Sequence, residues 1–171
     1  MKTLHVIITL CATLALASGK EADQAVAKRR NFLDSIIIPK IHFQSNDLQE
    51  CRDFAWGRTF ELDNTEADLK KKGVTILIPH DLDQFKRLHV SEINYRANNI
   101  TLTNLLKEIA RQCDLDVHTT SVGVVFCLPG KSPFPNAKAS KGETWETIYR
   151  VPQKPQRQNK NAKQGMTHHG P

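Results

Sequence analysis

The sequence lacks the residue patterns that mark the commonest cofactor and catalytic sites. It has no CxxC pair and no cluster of cysteine with histidine, so a zinc site is not expected. None of its glycines belongs to a phosphate-binding loop, and the GxSxG and HExxH motifs of hydrolases are missing. The histidines, among them His118 in a predicted strand, are interpreted as surface or hydrogen-bonded residues rather than metal ligands, with weak metal binding by His168-His169 as the alternative. We therefore expect a protein that is not an enzyme, with no catalytic, cofactor-binding or metal-binding residues.

Long apolar runs are also scarce, and the clearest one lies at the N-terminus. Met1-Lys2 is followed by the uncharged stretch Val6–Ala17, which ends in the small residues Ala15-Leu16-Ala17 that suit signal peptidase. The apolar run of about 14 residues is shorter than the roughly 20 that span a membrane. We expect residues 1–19 to be the cleaved signal peptide of an exported protein, with no membrane span in the mature chain. An uncleaved anchor and, less favourably, a lipid-modified Cys11 are the alternatives.

Basic charge is scarce in the middle of the chain and concentrated at its end. Residues 41–130 hold 10 Lys and Arg against 13 Asp and Glu, whereas residues 131–171 hold 8 against 2. A basic face for specific nucleic-acid binding is therefore not expected. The tail 131–171 is poor in apolar residues and is predicted to be mostly disordered, with residues 145–151 as a candidate short strand. Its charge predicts weak, salt-dependent contact with polyanions.

Periodic apolar residues predict helices and short strands between residues 20 and 130. Asp47 and Glu50 form a capping-box pattern at the start of a helix over about 47–62. Thr101 can cap a second helix, whose apolar residues recur at helical spacing from Leu102 to Cys113. Residues 20–40 are interpreted as a helical lead-in to a domain over 41–130. The predicted strands are 41–43, 74–78, 88–95, 117–119 and 122–128.

An internal repeat organises these elements. Ile41–Asp47 aligns with Ile93–Asn99 at an offset of 52 residues, and each stretch is followed by an amphipathic helix and another strand. Chance similarity of two turns is the competing explanation, because Asn is common in turns. The repeat predicts an α+β fold of two tandem β-α-β units.

The cysteines leave two interpretations open. Cys11 would leave with the signal peptide, so the mature chain keeps Cys51, Cys113 and Cys127. An oxidising compartment permits one disulfide and one remaining thiol, in any of three pairings. Alternatively, the three are small core residues.

The stretch from Ile38 to Leu128 resembles the STN domain, the short N-terminal module of secretins and TonB-dependent transducers. IPKIHFQSNDLQECRDFA is similar to the opening strand, turn and first helix of that family, and GVTILIP is similar to its central strand. INYRANNITLTNLLKEIARQCDLDVHTTSVGVVFC is similar to its second half. The resemblance implies two helices sandwiched between a two-stranded and a three-stranded sheet, a periplasmic or secreted location in the bacterial envelope, and docking of protein partners.

This chain also departs from the family. No secretin ring or outer-membrane barrel sequence follows the domain, so pore gating is not implied. The loop 63–73 looks longer than usual, so partner contacts near it are not carried over.

These observations predict a non-catalytic module that docks an envelope protein. Small open sheets have edges with unpaired backbone groups, to which an extended segment can add. The candidate edges are Ile41–Phe43 and Val122–Leu128, and we predict Val122, Val124 and Phe126 as partner-binding residues. One alternative is a self-contained domain whose edges are capped by Trp145–Val151. The alternative function is binding of anionic envelope polymers or the membrane surface through the tail.

Overall fold

A computed structural model describes residues 20–64, 66–69, 72–78, 92–134 and 144–152. The predicted signal peptide, the strand residues 88–91 and the tail 153–171 lie outside the described residues. The described chain is mixed α+β, as predicted, with three helices and two small sheets. The helices are α1 (20–35), α2 (Leu48–Leu62) and α3 (Leu102–Gln112). The strands are β1 (Ile37–Asn46), β2 (Ile76–Leu77), β3 (Ile93–Thr101), β4 (Asp116–Thr120), β5 (Val124–Cys127) and β6 (Trp145–Tyr149).

Side-chain caps start α2 and α3 at the predicted residues. The Asp47 carboxylate accepts the Glu50 N–H at 2.8 Å, and the Glu50 carboxylate accepts the Asp47 N–H at 3.0 Å, which completes a capping box. The Thr101 hydroxyl accepts the Asn104 N–H at 3.2 Å. Each cap satisfies a backbone donor that the first helical turn leaves unpaired. Asp47 and Thr101 are 54 residues apart, two more than the 52-residue offset of the repeat.

Two tandem units, β1-α2-β2 and β3-α3-β4, build the fold. β1 and β3 pair antiparallel as a two-stranded sheet, and the second sheet has the order β2-β5-β4-β6. The expected three-stranded sheet therefore gains a fourth strand, β6, which pairs antiparallel with β4. The candidate strand at 145–151 is confirmed at Trp145–Tyr149, where Ile148 joins the core.

Helices α2 and α3 lie between the two sheets. α2 contacts β1 and β2, and α3 contacts β3, β4 and β6. The apolar face of α3 is buried completely at Leu105, Leu106 and Ile109. This confirms that the helix face belongs to the core, where burial of apolar area supplies most of the stabilisation. Within the described ranges, no helix is both long enough and apolar enough to cross a membrane.

Helix α1 packs against the same body rather than leading away from it. Leu33 and Ile36 are buried in the core. The Arg29 guanidinium donates to the Thr120 carbonyl at the end of β4, and an Arg30 guanidinium nitrogen lies 3.8 Å from the carboxylate of Glu146 on β6. α1 is thus tied to the end of the four-stranded sheet.

β1 is longer than the predicted segment 41–43, and β3, which begins at Ile93, continues beyond the end of the predicted segment 88–95. β1 begins at Ile37 and continues through Pro39. Proline is tolerated on an edge strand, and β1 has one neighbouring strand among the described residues. β3 continues to Thr101 through Asn98 and a left-handed Asn99, residues that disfavour a strand when judged locally.

Candidate docking site

Strand β5 does not offer the free edge that was predicted for Val122–Leu128. It lies between β2 and β4, and the Val124 N–H donates to the Thr75 carbonyl at 2.9 Å. Val124 and Phe126 are fully buried in the core, whereas Val122 is 59% exposed in the preceding turn. The edge prediction is wrong here because strand alternation reveals a buried face and does not reveal how many neighbours a strand has.

The alternative in which Trp145–Val151 caps a sheet edge applies to β4 of the four-stranded sheet. β6 pairs with β4 through registers that include His118 opposite Thr147. It therefore covers the outer edge of β4 in the four-stranded sheet. In the described chain it leaves the two-stranded sheet of β1 and β3 without an added strand on either side.

The outer edge of β3 already carries a peptide-like contact. The Asn94 N–H donates to Oε1 of Gln112 at 3.0 Å, and Nε2 of Gln112 donates to the Asn94 carbonyl at 3.1 Å. A carboxamide thus bonds both backbone groups of one residue, as the N–H and C=O of a residue in an incoming antiparallel strand would. Backbone groups alternate between the two sides of a strand. Arg96 and Asn98 therefore present theirs on the same outer side, beyond the reach of this clamp.

The outer edge of β1 is more interrupted. Pro39 lies within the strand, and the pairing with β3 shifts between Phe43 and Asn46, where Ser45 takes a left-handed conformation. The Gln44 N–H is taken by Oδ1 of Asn46 at 2.9 Å. Prolines and bulges are the usual devices that protect an edge from pairing. Of the two edges, β3 therefore offers the longer regular stretch, although sequence reasoning named Ile41–Phe43 in β1.

The solvent face of this two-stranded sheet is basic. Lys40, His42 and Arg96 are exposed on it, and we call these three residues the cationic face. The sheet register places His42 directly opposite Arg96 and Lys40 opposite Asn98. Sequence reasoning missed Arg96, Asn98 and Gln112. The polar alternation of Asn94, Arg96 and Asn98 was the signal that could have located this face.

A second exposed surface lies on α2. Trp56 is 49% exposed, and the centre of its ring lies 6.5 Å from that of Phe60 one turn later, with the two rings tilted by 34°. The Lys72 ammonium lies 5.4 Å from the centre of the Phe60 ring, within cation–π distance. Exposed aromatic side chains are enriched at protein interfaces, but nothing in the structure indicates what covers this pair.

Among the described residues, a group of buried polar and ionisable side chains lies on the four-stranded sheet. Asp116 and His118 lie on β4, and the register places Asp116 opposite Cys127. The Asp116 carboxylate accepts the Gly130 N–H at 2.9 Å and the Val151 N–H at 2.7 Å. Burial, and then the nearby Asp116, raise the pKa of Cys127 to about 11. The thiol is therefore protonated at neutral pH, which does not suit a nucleophile.

The thiol of Cys51 shares that character. Burial is the main reason that the pKa of Cys51 rises to about 12, followed by the nearby Cys113. Cys51, Cys113 and Cys127 are all buried, and no disulfide joins them in this structure. In the described part of the chain, no group of three or more His, Cys, Asp or Glu side chains is placed to hold a metal ion.

His118 predicts a loss of stability in acid. Burial lowers its pKa from the ordinary 6.5, with Asp116 opposing and Arg150 adding to the shift. The folded state therefore resists protonation of His118 that the unfolded chain accepts. The stability associated with neutral His118 is fully present above about pH 6.5 and is lost as the pH falls below it. Urea unfolding at about pH 7.5 and about pH 5 should show a smaller difference for His118→Gln than for wild type. An equal difference in both proteins would contradict the prediction.

Comparison of the chain with protein-family models, with curated proteins and with solved structures finds no match.

Proposed function

We propose that this protein is a non-catalytic docking module of the bacterial envelope, similar to the STN domain, and that it is exported to the periplasm or beyond. In this proposal an extended segment of an envelope protein adds to the outer edge of β3. The observation that carries it is the open stretch at Arg96 and Asn98, next to a position where Gln112 already makes a strand-like contact. The sandwich of two helices between two sheets supports the resemblance.

Strand addition needs only an exposed strand edge and no binding pocket. The backbone hydrogen bonds of the added strand supply affinity, while side chains at alternate positions supply selectivity. The extra residue of the bulge lies in β1, between Phe43 and Asn46. β3 therefore runs regularly from Ile93 to Asn98 and presents a regular template. The buried grouping around Asp116 serves instead to hold Gly130 and Val151 to the sheet.

Site-specific crosslinking tests the docking proposal. A photoreactive residue in place of Asn98 should capture a discrete protein in native envelopes, whereas the same residue in place of exposed Lys28 on α1 should not. Asn98→Pro should abolish capture at a crosslinker placed at Arg96. Because the N–H of Asn98 points away from β1, proline removes no bond of the β1–β3 ladder, and circular dichroism should confirm the fold.

Two results would contradict docking at β3. The first is no protein adduct from either position, and the second is an adduct that Asn98→Pro leaves unchanged in a folded protein. The alternative function concerns the tail beyond residue 152, which lies outside the described residues. Retention on heparin or anionic vesicles that disappears when residues 153–171 are removed, together with no protein adduct at β3, would favour that alternative.

A further inference from the structure

We infer that the segment that adds to β3 is acidic, an inference that rests on the proposed function and names the chemistry of its partner. The cationic face of Lys40, His42 and Arg96 supplies the reason. Among the other described arginines, Arg58 pairs with Glu61 and Arg111 with Glu108, whereas Arg29 donates to a backbone carbonyl. In the described residues, none of the three members of the cationic face forms an ion pair.

The arrangement of the cationic face leaves its charge unbalanced. Arg96 faces His42 directly across the strand pair, and Lys40 precedes His42 by two residues on the same face. The neighbouring exposed residues of the two strands include the neutral amides Asn94, Asn98 and Gln44. A carboxylate lies at one end of the sheet, where Glu92 accepts the Ser45 hydroxyl at 3.3 Å. Lys40 and Arg96 carry positive charge, and a cross-strand neighbour of opposite charge is favourable.

The cationic face and the open edge of β3 meet at Arg96. In β3 the side chains of Arg96 and Asn98 stand on the solvent face, and the backbone groups of these two residues lie on the open side. A strand added there would place one side chain beside Arg96, at roughly 5 Å between Cβ atoms. His42 and Lys40 lie one strand further, within reach of long side chains. Glutamate at alternate positions of the added strand therefore fits this face.

Peptide titration tests the inference on the purified mature protein. The probe is a short synthetic peptide that alternates valine with glutamate, and its control has lysine in place of glutamate. The acidic peptide should bind and the basic peptide should not, with affinity falling as salt is raised. Arg96→Glu should weaken binding of the acidic peptide roughly tenfold, because it turns an attraction into a repulsion. Lys28→Glu makes the same charge change on α1 and should leave binding unchanged.

Each alternative explanation of binding predicts a different result. Equal binding of the two peptides, or no effect of Arg96→Glu in a protein that still folds, would overturn the acidic partner while leaving crosslinking at Asn98 unaffected. Acidic-peptide binding that survives Asn98→Pro would show a charged contact without strand addition and would also overturn the inference. Heparin or anionic phospholipid vesicles are the third probe. If they bind through Arg96 while the acidic peptide does not, the face binds polyanions rather than a protein segment.

Discussion

Leu106→Ala should lower the free energy of unfolding by roughly 2–5 kcal/mol. Leu106 is completely buried on α3, the helix that contacts β3 of one sheet and β4 and β6 of the other. Shortening this side chain removes apolar contacts in the core and leaves a cavity that the packed sheets do not close. Urea or thermal unfolding followed by circular dichroism measures the change.

The control for that substitution is Leu69→Ala. Leu69 is 68% exposed, so the same chemical change should alter the free energy of unfolding by less than about 0.5 kcal/mol. If both variants lose little, α3 does not hold the two sheets together. If both lose equally, the described exposure of Leu69 is wrong for the protein in solution.

Local chemistry explains which parts of the fold could be predicted from the sequence. The capping box of Asp47 and Glu50 and the apolar spacing from Leu102 to Cys113 depend on residues within one or two turns. The starts of both helices were therefore predicted correctly. β1 is different, because its ten residues are held by β3, which lies about fifty residues later in the chain. A stretch containing Pro39 becomes a strand through that distant partner, which local propensity does not reveal.

The candidate site was harder to predict, because it depends on which strands have neighbours. Val124 and Phe126 have the apolar alternation of a strand, but the two-residue strand β2 occupies the edge that was predicted to be open. The clamp of Gln112 on Asn94 joins the last turn of a helix to a strand 18 residues earlier in the chain. Nothing in the local sequence of either residue indicates this contact. Strand order, rather than strand identity, was the missing information.

Gly123 shows how β2 comes to occupy that edge. A Cβ atom at position 123 would lie 2.4 Å from the Thr75 carbonyl oxygen, and that oxygen accepts the Val124 N–H at 2.9 Å. The parallel pairing of β2 with β5 therefore needs a residue without a side chain at the start of β5. The turn before β5 is held separately, since the Thr120 hydroxyl accepts the Gly123 N–H at 3.1 Å.

Gly123→Ala should therefore destabilise the protein by roughly 2–4 kcal/mol, because the backbone of β2 must move and its bond to β5 is strained or lost. Gly57→Ala is the matched control. Gly57 lies inside α2, its added Cβ would meet no atom within 4 Å, and its φ is not positive. Alanine there should stabilise by about 0.5–1 kcal/mol, because it favours the helix. Chemical denaturation of the two variants should thus give shifts of opposite sign. A loss of stability in Gly123→Ala no larger than about 0.5 kcal/mol would show that β2 does not pack against β5 as described.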